Sequence, residues 1–115
     1  MMSEMYNSYN KVIAIIDNVF NTFVSSSEED KYIASVNRAS FTLNAPQILM
    51  DLERIGAMSA DDIEGFVPKY VENFSSAYKQ SFIVSSGFGE ATASRYSHQA
   101  ASSMMEIIDS YLAMR

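Results

Sequence analysis

The chain has 115 residues, 48% of them apolar, and a formal charge of −6 from 14 acids against 8 bases. That is the size of one domain, with too much apolar side chain for a disordered segment. It has no cysteine, which removes disulfides, thiolate catalysis and cysteine-ligated zinc. The bases are scattered singly, so direct contact with nucleic acid or an anionic membrane is disfavoured.

The first predicted element is a helix over about residues 3–25. At 100° per residue, Met5, Tyr6, Tyr9, Val12, Ile13, Ile16, Val19, Phe20, Phe23 and Val24 fall within an arc of about 140°, which strand alternation would scatter over two faces. The opposite face carries Asn7, Asn10, Asn18 and Asn21 with Lys11 and Asp17, and Ile15 sits off the stripe. Polarity supplied by asparagine rather than by charge is compatible with a plain solvated surface or with a second contact. The longest uninterrupted apolar run, Val12–Ile16, is far short of the ~20 residues that cross a bilayer. No basic region precedes an apolar stretch at the N-terminus, so no secretory signal is expected, and a cytoplasmic location follows.

Serines 25–27 break that helix, and Ser26 with Glu29, or Ser27 with Asp30, forms a capping pattern for a second helix over about 27–43. Glu28, Glu29 and Asp30 suit the positive end of its dipole. Tyr32, Val36, Ala39 and Leu43 share one face, Ile33 lies at its edge, and Phe41 points the other way. Asn44 and Pro46 open a third helix over about 46–55, with Ile48, Leu49, Leu52 and Ile55 on one side and Met50 opposite. Gly56 stops it. Ser59 and Asp62 cap a short turn, and Gly65 and Pro68 are expected to end that turn before a fourth helix over about 68–85. Val67, Tyr70, Val71, Phe74, Tyr78 and Phe82 share its inner side, which Ile83 does not fit. Residues 85–89 form a break, in which Phe88 between two glycines is either an exposed aromatic or a helix-end contact. The last helix, over about 90–114, splits cleanly. Tyr96, Ala100, Met104, Ile107, Ile108 and Tyr111 lie on its apolar arc, and Arg95, His98, Gln99, Ser102, Glu106 and Asp109 on the other.

Catalytic chemistry is sparse. His98 is the sole histidine, without the spacing of a metal site. No Gly-x-Ser-x-Gly elbow is present, and Gly87-Phe88-Gly89 lacks the lysine and strand context of a phosphate loop. Asp51 and Glu53 are two apart on a helix and do not face each other, and Asp61 and Asp62 read as first-turn acids. No metal or cofactor is expected. A loose helix-turn-helix pattern over 52–66 would aim Asp61, Asp62 and Glu64 at a duplex, which repels it.

The expectation is an all-α bundle of about five helices with the first and last central. It would act by binding another protein or a second copy of itself through the off-face apolar residues Ile15, Phe41, Met50, Ile83 and Phe88. Eight methionines would add adaptable contact area. A second reading is an acidic inhibitor that imitates nucleic acid and blocks a basic groove, with Glu28, Glu29, Asp30, Asp51, Glu53, Asp61, Asp62 and Glu64 as its surface. An enzyme with a carboxylate-based site ranks last.

Overall fold

The computed structural model describes residues 2–22 and 27–114, with side chains from residue 7 onward. Five helices follow in order: α1 (Met2–Asn21), α2 (Glu28–Leu43), α3 (Ala45–Gly56), α4 (Ala60–Ser86) and α5 (Glu90–Ala113). The fold is all-α. The side chains of Met5 and Tyr6, and Phe23, Val24, Ser25 and Ser26, lie outside the described residues.

The asparagine face of α1 is exposed, while Val12, Ile16, Val19 and Phe20 are buried. Ile15 corrects the expectation. It is only 5% exposed, because the core covers the rows 12–16–20 and 15–19 and so takes in the residue beside the stripe. In α3, Ile48, Leu52 and Ile55 are buried with Ala45, Leu49 is half-buried, and Met50 is exposed. At the end of α3, a Cβ on Gly56 would meet Cε1 of Tyr111 at 3.2 Å, so the absent side chain is what lets α3 lie against α5.

Both serine caps are in place. Ser27 Oγ accepts from the Asp30 N–H at 3.3 Å, and Ser59 Oγ accepts from the Asp62 N–H at 3.2 Å. The second cap, however, opens no short turn. It starts the 27-residue α4, which runs through Gly65 and Pro68. Proline cannot donate to the Glu64 carbonyl, yet Glu64, Gly65 and Pro68 are all on the exposed side, where water can take that carbonyl. The inner side meanwhile buries Val67 and half-buries Ile63, Phe66, Tyr70 and Val71 against the core. Packing of the apolar face overrides local propensity here.

The helix that organises the bundle is α5, which packs against each of the other four. Ala93, Tyr96, Ala100, Met104, Ile107 and Ile108 are buried along it. The α4–α5 turn closes on Gly87, whose φ of 68° is left-handed. Phe88 then folds back and stacks on Phe82 and Tyr96, with ring centroids 5.9 and 5.4 Å apart. Phe88 is therefore a helix-end contact, not a free aromatic, and Ile83 beside it is half-buried.

Candidate functional site

The candidate surface is described through α2, because this helix reverses the expected facing. Its buried residues are Ile33, Ala34, Asn37 and Phe41. Phe41, named above as an outward residue, is 1% exposed and is the hub of the aromatic core. Its ring meets Phe20 at 5.3 Å, Phe74 at 5.6 Å and Tyr78 at 6.1 Å, each edge-on. Asn37 sits beside it with no exposure at all. Its Nδ2 donates to the Tyr96 carbonyl at 3.1 Å and to Gln99 Oε1 at 3.1 Å. Its Oδ1 accepts from the Tyr78 hydroxyl at 2.6 Å. Gln99 extends the chain by donating to the Asp30 carbonyl at 3.3 Å. Among the described residues no buried side-chain nitrogen or oxygen lacks a partner, so this buried network is complete. Burial pushes the Tyr78 phenol up to about 12, assisted by Tyr96 and opposed by a hydrogen bond from Ser40. Burial also raises Tyr96, with the nearby Tyr32 and Glu29 adding to the shift and Arg95 opposing it.

With the inner face so arranged, Tyr32, Val36, Ala39 and Leu43 turn outward. Tyr32 is 63% and Leu43 83% exposed, Ala39 is exposed, and Val36 is half-buried. The four fall within about 60° of arc, at the 4-3-4 spacing of a coiled-coil seam. The stripe borders the side of α2 that faces α4 and α5, as the Ser40–Tyr78 and Tyr32–Tyr96 proximities require. There α2 and α4 are not closely packed backbone to backbone. Phe41, Phe74 and Tyr78 fill the space between them.

The residues expected to form a binding patch are not brought together. Ile15 and Phe41 belong to the core and Phe88 to the aromatic stack, which leaves Met50 as the one that is freely exposed. The stripe on α2 was visible as an apolar face but assigned inward. The missed signal is Asn37, whose polarity argues for the surface until its partners on α4 and α5 are known.

The acidic residues divide between the two ends of the bundle. Glu29 and Asp30 meet Arg95 near the start of α5, the Asp30 contact being 4.0 Å, and Glu28 pairs with Lys31 at 3.4 Å. Asp51 is held within the α3–α4 junction, accepting from the Tyr70 hydroxyl at 2.7 Å and from Gln47 Nε2 at 3.1 Å. Burial and Asp51 raise the pKa of Tyr70. Arg54 lies 5.0 Å from the centre of the Phe66 ring. Glu53, Asp61, Asp62 and Glu64 are exposed near this second end. Arg95 and Tyr111 mark the two ends, roughly 24 Å apart along α5 at 1.5 Å per residue, so the clusters form no continuous acidic face.

An open cleft of about 340 Å³ lies between α2 and α5, lined by Asp30, Ile33, Arg95, His98, Gln99 and Ser102. His98 is exposed there, Arg95 is engaged by Glu29, and Gln99 belongs to the Asn37 network. Among the described residues, no group of three or more acids and histidines is placed to hold a metal ion, and no helix is long and apolar enough to cross a membrane. No protein family, curated protein or solved structure matches this chain.

Proposed function

We propose that this protein works by binding another polypeptide through the outer face of α2, not by catalysis. The observation that carries the reading is the Tyr32–Val36–Ala39–Leu43 stripe. Single exposed apolar residues are ordinary, but a complete seam at heptad spacing is the form in which one helix receives another. Burying such side chains removes apolar area from water, worth roughly 25 cal/mol per Å². Binding as an acidic mimic has less support, since Glu28–Asp30 and Asp51–Glu64 are separated along the bundle and several of them are already paired. A carboxylate-based enzyme has less still, since the cleft that holds His98 is open and its Arg95 is already paired.

The reading is tested by placing a photo-reactive amino acid singly at Leu43, Tyr32 or, as a control on the polar arc of α5, the exposed Glu106, in the cells that make the protein. Covalent adducts from positions 43 and 32 but not from 106 are expected. Adducts from 106 alone, or none from α2, overturn the proposal.

A further inference from the structure

We propose that the open cleft between α2 and α5 binds a free α-amino acid, at a site separate from the outer face of α2. Asp30 and Ile33 line the cleft from α2, and Arg95, His98, Gln99 and Ser102 line it from α5. The four α5 residues fall at i, i+3, i+4 and i+7, so they form one row of polar side chains, roughly 10 Å long at 1.5 Å per residue. The cleft holds one fixed charge of each sign. The Asp30 carboxylate and the Arg95 guanidinium stand 4.0 Å apart, longer than a hydrogen bond, and both side chains are about half exposed. Glu29 engages Arg95 through Nη1, whereas Nη2 is the nitrogen turned to Asp30. The Nη2 side of the fork can therefore donate to a second carboxylate.

Charge selects the class of ligand. A plain anion drawn to Arg95 meets Asp30 and Glu29, and a plain cation drawn to Asp30 meets Arg95, so each is opposed by a like charge. A zwitterion with its carboxylate and ammonium on one carbon satisfies both sides. Its carboxylate lies against Arg95 and its ammonium against Asp30. The two walls are tied together at this point, since Gln99 Nε2 donates to the Asp30 carbonyl at 3.3 Å and Gln99 Oε1 accepts from Asn37 at 3.1 Å. The Gln99 amide has a second N–H, which adds a positioned donor for the ligand carboxylate. Size agrees with the charge. A volume of about 340 Å³ admits an amino acid whose side chain runs along α5 past His98 towards Ser102. Because the cleft is open, much of the ligand stays in water and the affinity is weak.

The test is a titration of the intact, isotope-labelled chain with each standard L-amino acid in turn, followed by NMR. At least one should bind saturably in the millimolar range and shift the backbone amide signals of Asp30, Arg95, His98 and Gln99 together. For that amino acid, the amine that lacks the carboxylate and the N-acetyl derivative that lacks the ammonium should each bind about tenfold more weakly or worse, the loss expected when a charged hydrogen-bonding partner is removed. Arg95→Gln and Asp30→Asn should each weaken binding by a similar factor. Both replaced groups are about half exposed, so the variants should keep the helical circular dichroism of the parent chain. If the N-acetyl derivative binds as well as the amino acid, the cleft is a plain anion site; if the amine does, it is a plain cation site. Either result overturns the proposal. So does the absence of saturable shifts with every amino acid, or shifts centred away from the cleft.

Discussion

The two faces of α2 make an instructive pair. The outer one, Tyr32–Val36–Ala39–Leu43, carries no polar group except a phenol, and it faces solvent. The inner one has an asparagine at its centre, and it is buried. Apolar content alone would have turned the helix around. What decides is complementarity: Asn37 finds a partner for both ends of its amide on α4 and α5, and Phe41 finds three rings to meet edge-on. Among the described residues, Tyr32 and Leu43 have no such set of neighbours. A buried polar group that is fully satisfied costs little and selects one arrangement, while apolar surface left over is free for another use.

The largest effect should come from emptying the inner face. Phe41→Ala removes the hub of the aromatic core and should cost about 3–5 kcal/mol of unfolding free energy, measured by denaturant melts. A cost near zero would mean that the faces are not inequivalent. Asn37→Ala strips the partner from the Tyr78 hydroxyl, the Tyr96 carbonyl and Gln99 together, and should cost at least the ~1–3 kcal/mol of one orphaned buried group. The Tyr78 phenol supplies a pH test of the same region. Its folded pKa, about 12, lies above the unfolded value of 10.0. Its stabilising contribution is therefore complete below pH 10 and is lost as pH climbs from 10 towards 12, when the unfolded chain ionises first. Tyr78→Phe should lessen that alkaline decline in a pH series of thermal melts and leave the part due to the raised phenols of Tyr70 and Tyr96. The smallest effect belongs to the outer face: Leu43→Ser should change stability by less than about 0.5 kcal/mol, and its consequence should be confined to association.

Much of this bundle was legible from local pattern. The α1 stripe, the α3 face, the arc of α5 and both serine caps depend on spacing within one helix, which sequence displays directly. The failures share a cause. Ile15, the facing of α2 and the continuity of α4 through Gly65 and Pro68 are all decided by partners distant in sequence. A Gly–Pro pair reads as a break until the inner rows on either side of it are seen to rest on one continuous core. The candidate surface was legible as a stripe and illegible as a surface, for the same reason.

The position of α5 has a consequence for how the protein is made. It is the last of the five helices in chain order, and it is the one that all the others pack on. As the chain leaves the ribosome, α1 to α3 emerge with apolar faces and nothing to close them. The Asn37 network spans 41 to 62 residues in sequence, and its Gln99–Asp30 link spans 69. Closing such long loops comes late and slowly. The nascent protein therefore passes through a stage in which both faces of α2 are uncovered, and the cell must keep it from aggregating until α5 arrives.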